Sequence, residues 1–226
     1  MSVLTLVASS ITGRINLTSE QLHAHNSRDC SGVVVWLQPL TGESAATAPN
    51  PSKMRIRQKN KTFSPHVLVV PVGATVDFPN DDPIFHNAFS NYNGQVFDVG
   101  LYPPGTTRSI TFRRAGVVRV FCNIHAAMSA VIVVVNTPYF AVTGKDGTFQ
   151  IEGVPKGTYR LAFYYENATD KTLESLSRTV LIGKEAEDLG SFNISQAGYL
   201  PIPHMNKYGK PYAPAADATG YSGTQQ

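Results

Sequence analysis

From Ile11 to Ile194 the chain is a succession of short runs in which apolar and polar residues alternate or β-branched residues cluster, punctuated by Gly- and Pro-rich turns. That period of two is the signature of β-strands, and no long stretch repeats at the 3.6-residue spacing of an amphipathic helix. Ile11-Thr-Gly-Arg-Ile-Asn-Leu17 and Gly32-Val-Val-Val-Trp-Leu37 open the chain as strands, separated by a polar stretch in which Ser19–Ala24 reads as a helical turn at most. Residues 41–52 are small and polar, the composition of a linker. The next block holds His66-Val-Leu-Val-Val-Pro-Val72, Thr75-Val-Asp-Phe78, Gln95–Gly100, Thr107-Arg-Ser-Ile-Thr-Phe112, Gly116–Phe121 and Ala130-Val-Ile-Val-Val-Val135. A third block has strands at Tyr139–Thr143, Thr148–Ile151, Thr158–Tyr165, Ser177–Ile182 and Leu189–Ile194, with turns at Gly144–Gly147 and Val154–Gly157. The fold class that follows is all-β, with enough chain for one large domain or two ordinary ones, each with its own core.

One loop carries chemistry. Cys122-Asn-Ile-His125-Ala-Ala-Met128 packs a thiol, an imidazole and a thioether directly after the strand Gly116-Val-Val-Arg-Val-Phe121. A second imidazole, His86, lies upstream in Phe78-Pro-Asn-Asp-Asp-Pro-Ile-Phe-His86-Asn87, just past a strand end. Thiolate, two imidazoles and a weak axial thioether are the ligand set of a type 1 copper site. Cys122, His86 and His125 are the expected equatorial ligands of one copper ion. Met128 reads either as the long axial ligand or as a core methionine. Asp81 and Asp82 read as turn residues, because hard carboxylates suit a soft site poorly. Asn87 reads either as a hydrogen-bonding support of the two ligand loops or as an ordinary turn asparagine.

The middle block resembles the cupredoxins, the blue copper family that includes plastocyanin, pseudoazurin and amicyanin. The residues that carry the resemblance are Phe63-Ser-Pro-His-Val-Leu-Val-Val70, Gly73, Phe78-Pro-Asn80, His86-Asn87, Gly116 and Cys122-x-x-His125-x-x-Met128, with an amicyanin-like short loop. The loop departs from relatives in carrying Asn123-Ile124 where a proline is frequent. The third block resembles the carboxypeptidase regulatory-like domain, a small immunoglobulin-type sandwich, through Asp146-Gly-Thr-Phe-Gln-Ile-Glu-Gly-Val-Pro-Lys-Gly-Thr-Tyr-Arg-Leu161. Domains of that kind open with strands like the first two here. The resemblances therefore imply a cupredoxin Greek-key sandwich, residues 52–136, inserted into or flanking a regulatory-like sandwich made of residues 10–48 plus 137–196. Residues 197–226, Pro-, Gly-, Tyr- and Ala-rich, read as an extended tail. In this arrangement Trp36 is expected to be buried near Phe149 or Tyr159.

The function expected is single-electron transfer between redox partner proteins that dock near His125, where Ala126, Ala127, Pro83, Ile84 and Phe85 offer a small apolar patch. The alternative is a non-redox copper-binding or sequestering module of the cell envelope. An enzyme is not expected: six histidines are too few for an oxygen-reducing copper cluster besides this site, and no Ser-His-Asp or paired-carboxylate motif has supporting context. A net charge of +3 without a basic block argues against nucleic acid. No apolar run is long enough to span a bilayer. The first ten residues read as the stump of a trimmed signal peptide or as a first strand, and thiolate–copper chemistry suits a periplasmic or otherwise extracytoplasmic setting. Cys30 reads as an unreactive buried thiol; a Cys30–Cys122 bridge would abolish the site. His23 and His25 read as exposed, His66 as outward-facing, His204 and Met205 as incidental, and the Asn-x-Ser/Thr sequons at Asn16, Asn60, Asn167 and Asn193 carry little weight.

Overall fold

Strands β1 (Ser9–Thr18) and β2 (Val34–Pro39) begin the computed structural model, which describes residues 9–18, 29–40, 54–91, 94–201 and 203–212. The strands of the middle block follow: β3 (Met54–Arg55), β4 (Arg57–Lys59), β5 (Thr62–Ser64), β6 (Val67–Pro71), β7 (Thr75–Pro79), β8 (His86–Ser90), β9 (Phe97–Tyr102), β10 (Thr107–Thr111), β11 (Gly116–Phe121) and β12 (Ser129–Val135). The last third supplies β13 (Phe140–Val142), β14 (Thr148–Val154), β15 (Gly157–Tyr164), helix α1 (Asp170–Leu176), β16 (Arg178–Ile182) and β17 (Ala186–Ser195). The expectations for the segment before Ser9, the turn at Ser19–Ala24, His23 and His25, the linker at 41–52 and the tail beyond residue 212 fall outside the described residues.

The hydrogen-bonding pattern joins the two ends of the chain. β1 lies between β14, antiparallel, and β17, parallel, while β2 lies between β13 and β15 with β16 beyond. These two sheets close over Ile11, Ile15, Val35, Leu37, Phe149, Leu161, Phe163 and Phe192. Between β2 and β13 in sequence, the sheets β10-β7-β3 and β6-β12-β11-β8-β9 enclose a second core, with Ile56, Phe63, Val76, Phe78, Phe112, Val120 and Ile132. The chain is thus nearly all β. Helix α1 was not legible in the pattern, because its seven residues bury Leu173 alone; Thr169 caps it by accepting the Thr172 N–H.

The two sandwiches share a third apolar layer. β12 reads Ser-Ala-Val-Ile-Val-Val-Val and is buried from Ala130 to Val135. Alternation sends Ala130, Ile132 and Val134 into the middle core and Val131, Val133 and Val135 outward. The outward valines, with Val69, meet Val34, Trp36, Phe140 and Tyr164 from the β13-β2-β15 face. A continuous apolar run is what a strand covered on both faces requires. This layer corrects the place expected for Trp36. Val33, Val35 and Leu37 face the core that holds Phe149 and Tyr159, so Trp36, of opposite parity, faces the layer between the sandwiches.

Cys30 and Cys122 are free, buried in different cores, and so not bridged. Among the described residues no helix is long and apolar enough to cross a membrane.

Candidate metal centre

The register of one strand pair brings the site together. β11 and β8 are antiparallel partners through Phe121 and Phe89. Continuing that register places Cys122 opposite Ala88 and Asn123 opposite Asn87. Parity then divides the two strand ends between faces. His86, Ala88 and Cys122 point into the middle core, whereas Asn87, Phe89, Phe121 and Asn123 belong to the other face.

On the inner face the Cys122 Sγ lies 3.9 Å from His86 Nδ1 and 3.7 Å from His125 Nδ1. The donor atoms of these three residues all fall within 4.8 Å of one another, the spacing at which one ion can bind all of them. The imidazole rings of His86 and His125 meet edge to face, their centroids 4.9 Å apart. The loop Cys122–Met128 is closed on itself: the Met128 N–H donates to the His125 carbonyl (3.0 Å), and the Cys122 N–H donates to the Met128 carbonyl (3.2 Å). Met128 is fully buried in the same core as Cys122. His86 is fully buried too, while His125 is partly exposed. Burial, and then the His86 ring beside it, hold the His125 imidazole below the ordinary histidine pKa, which keeps a ring nitrogen free for a metal.

Asp82, read from the sequence as a turn residue, has a larger part than that. Its Oδ2 lies 2.7 Å from His86 Nε2, so Nδ1 is left to face the thiol. The same carboxylate accepts the N–H groups of Asn60 (2.5 Å) and Lys61 (2.8 Å), both in the left-handed region at φ 55° and 53°. Burial pushes the Asp82 carboxyl up, and the bonds from Lys61, His86 and Asn60 outweigh it, holding its pKa below the usual carboxylate value. A carboxylate that accepts from the far nitrogen of a ligating histidine fixes its tautomer and ring plane. Asn80, also buried, bonds the Asp82 N–H, the Ile84 carbonyl and the Tyr102 carbonyl, and so shapes the loop that delivers His86. Asp81 points away and pairs with Arg57 at 2.6 Å. Asp82 stands four residues before His86, a spacing that could have flagged it; two acidic residues beside a proline look like turn composition first.

On the outer face Asn87 ties the segment after His86 to the one after Cys122. Its Oδ1 accepts the Asn123 N–H at 3.2 Å, and its Nδ2 donates to Asp98 Oδ1 and the Gly100 carbonyl. His66 is half exposed, but its Nε2 pairs with Glu166 at 2.5 Å across the two sandwiches, which the expectation of a merely outward-facing ring missed. His204 is not incidental: its ring stacks on Phe121 at 4.0 Å, beside Cys122.

No family model matches the chain, and no curated protein matches it. Among solved structures it is similar to a purple cupredoxin from Nitrosopumilus maritimus, with 27% identity over 37% of this chain and 100% of that one, at a TM-score of 0.33. It is similar to the copper-containing nitrite reductase NirK from Thermus scotoductus SA-01, with 28% identity over 43% of this chain and 25% of that one, at a TM-score of 0.36. It is also similar to amicyanin from Paracoccus versutus, with 19% identity over 44% of this chain and 97% of that one, at a TM-score of 0.35. The chain therefore spans about a quarter of the reductase's length.

Proposed function

We propose that the chain is a type 1 copper protein that carries single electrons between redox partners, with His86, Cys122, His125 and Met128 as ligands of one copper ion. The observation that carries the reading is the convergence of one thiol and two imidazoles within 4.8 Å, from two loops far apart in sequence. The donor set fits the ion: soft sulfur and borderline nitrogen suit copper in both oxidation states, and the nearest carboxylate is engaged by His86 and two backbone N–H groups. Copper held there supplies a one-electron couple. The protein's part is to keep the donors in place whichever charge the ion carries. His86 is held by Asp82, the thiol-bearing loop by its own backbone bonds and by Asn87, and Met128 by core packing.

His125 is the port in this reading. On its own loop Ile124 is 48% exposed with Ala126 and Ala127 exposed, and on the loop that delivers His86, Phe85 is 50% exposed with Pro83 exposed and Ile84 partly so. An apolar rim of that kind suits brief encounters of small buried area. We assign residues 52–136 as the copper-bearing unit and 10–48 plus 137–196 as the regulatory-like sandwich, in keeping with the strand pairings between the two ends of the chain. An extracytoplasmic setting, away from competing thiols, is part of the proposal.

The test is to titrate metal-free protein with Cu(II) and record the visible spectrum. An intense thiolate-to-copper band that Cys122→Ser abolishes is the expected result; a colourless protein refutes the reading. The sequestering alternative is separated by voltammetry, since a carrier must show a reversible midpoint.

A further inference from the structure

The segment after β17 does not stay with its own sandwich. Residues 203–212 return to the outer face of the copper-bearing sheet and contact the ligand loop repeatedly. The His204 ring covers Phe121, and its Nε2 donates to the Ala126 carbonyl at 2.8 Å. The Tyr212 hydroxyl donates to the Cys122 carbonyl at 2.9 Å and lies 3.3 Å from His204 Nδ1. The Lys207 N–H donates to Asn123 Oδ1 at 3.0 Å, and Lys207 Nζ reaches Asp98 Oδ2 at 2.8 Å.

These last bonds close a circuit. Asn87 accepts from Asn123 and donates to Asp98; Lys207 donates to Asn123 through its backbone and to Asp98 through its ammonium. The circuit therefore links the residue after His86, the residue after Cys122, strand β9 and the C-terminal segment. With the Lys207 ammonium removed, one Asp98 oxygen loses its partner and Lys207 keeps only its backbone bond to Asn123, while His204 and Tyr212 still hold Ala126 and Cys122. Of the circuit's side-chain links between the two strand ends, the Asn123–Asn87 bond then remains. The segment has its own internal order: the Asn206 side chain accepts from the Tyr208 and Lys210 N–H groups, and the Gly209 N–H donates to the Asn206 carbonyl, forming a tight turn beside Lys207.

We propose that residues 203–212 are an intramolecular strap that braces the ligand loop, with Lys207 and Tyr212 as positioning residues for the metal centre. The proposal rests on the copper reading above for its consequence, but not for its geometry. By fixing the carbonyl of Cys122, the side chain of Asn123 and the carbonyl of Ala126, the strap restrains the loop from three points along Cys122–Ala126. It also ties the loop to a segment anchored in the other sandwich, since β17 pairs with β1 there. A ligand loop so held keeps one donor geometry whether the site is empty, oxidised or reduced.

The experiment uses the full chain with Tyr212→Phe, Lys207→Met and Lys207→Arg, and Lys210→Met as the control for charge. Copper release to a chelator is followed from the copper-loaded protein, together with its thiolate band. Amide exchange at Asn123 and Met128 is followed in the metal-free protein. Removing support groups around metal ligands characteristically costs about 10- to 100-fold in metal affinity. Tyr212→Phe and Lys207→Met are expected to release copper about tenfold faster or more, to shift the thiolate band, and to speed both amides. Lys207→Arg, which still reaches Asp98, and Lys210→Met are expected to stay near the parent. Unchanged release, band and exchange in Tyr212→Phe and Lys207→Met overturn the strap. If the parent chain shows no thiolate band, the copper reading falls, and amide exchange alone decides: acceleration in the variants sustains the brace, and its absence overturns it.

Discussion

Replacing Asp82 with Asn is expected to loosen the loop that delivers His86, and its magnitude can be worked from the bonds. The carboxylate serves three donors: Asn60 N–H at one oxygen, Lys61 N–H and His86 Nε2 at the other. An amide keeps one accepting oxygen. In its better orientation the substituted side chain retains Lys61 and His86 and turns an NH2 group toward the Asn60 N–H, leaving a donor without an acceptor at a site that is 7% exposed. One orphaned part-buried donor, on the exposed residue Asn60, costs about 1 kcal/mol, the low end for a lost bond, and two charge-assisted bonds become neutral ones at about half the strength. A loss of about 3 kcal/mol at pH 7 results, and with slopes of about 1–3 kcal/mol per molar the urea midpoint falls by about 1–3 M. Far-UV circular dichroism of the metal-free protein reads it. The pH dependence supplies the sign. Asp82 has a folded pKa below the ordinary 3.8, so its stabilisation is present above that value and is lost as pH falls through the folded one. The gap between parent and variant should therefore close as the pH drops below about 4. A loss under about 1 kcal/mol, or a gap that persists unchanged at a pH of about 3, refutes the reasoning. In the copper-loaded protein the weaker acceptor on His86 should raise the reduction potential.

Three other outcomes are expected. His66 has its pKa raised above 6.5 chiefly by the bond to Glu166, and Glu166 has its own lowered below 4.5 by the same bond. The His66 contribution is full below about 6.5 and lost as pH rises through the raised value, while that of Glu166 is lost as pH falls through the lowered one. Urea midpoints read by Trp36 emission should thus decline from about pH 6 to 9, and His66→Gln should flatten the decline; equal slopes would show that the pair contributes nothing. Gly147→Ala, at φ +79° with its new Cβ 2.1 Å from the Ile15 carbonyl oxygen, should cost well beyond the roughly 1–2 kcal/mol of left-handed strain expected for Gly73→Ala, where the space is open. Similar thermal midpoints for the two variants would contradict this. Ala126→Asp, on the exposed rim, should slow electron exchange with a partner and leave the thiolate band as it was; stopped-flow rates equal to the parent's would remove the rim as a docking surface.

The parts of the molecule that can be read from the chain are those with local spacing. Cys122, His125 and Met128 sit within one turn-sized loop, so residue type and distance in sequence suffice. His86 is marked by its place past Phe78-Pro-Asn80, and the antiparallel register through Phe89 and Phe121 explains how that place comes to face Cys122. What escapes depends on contacts between distant segments. Asp82 looks like any turn aspartate until its Oδ2 is seen against His86. His204, Lys207 and Tyr212 lie in a stretch without periodicity, where composition suggests an extended tail; their bonds to a loop about 80 residues earlier leave no trace in local pattern. Trp36 is misplaced for a different reason. Val33-Val-Val-Trp-Leu37 is apolar at every position, so alternation carries no sign of which side is inward, and both sides are in fact covered.

That double covering bears on any attempt to take the molecule apart. A fragment cut to residues 52–136 would turn Val69, Val131, Val133 and Val135 out to water as a contiguous band on a sheet, the kind of sticky β-surface that drives self-association. The rest of the chain, without that fragment, would bare Val34, Trp36, Phe140 and Tyr164 in turn. The halves are less like beads on a string than two slices sharing one filling. Biophysical work on residues 52–136 alone would first need polar replacements along that band.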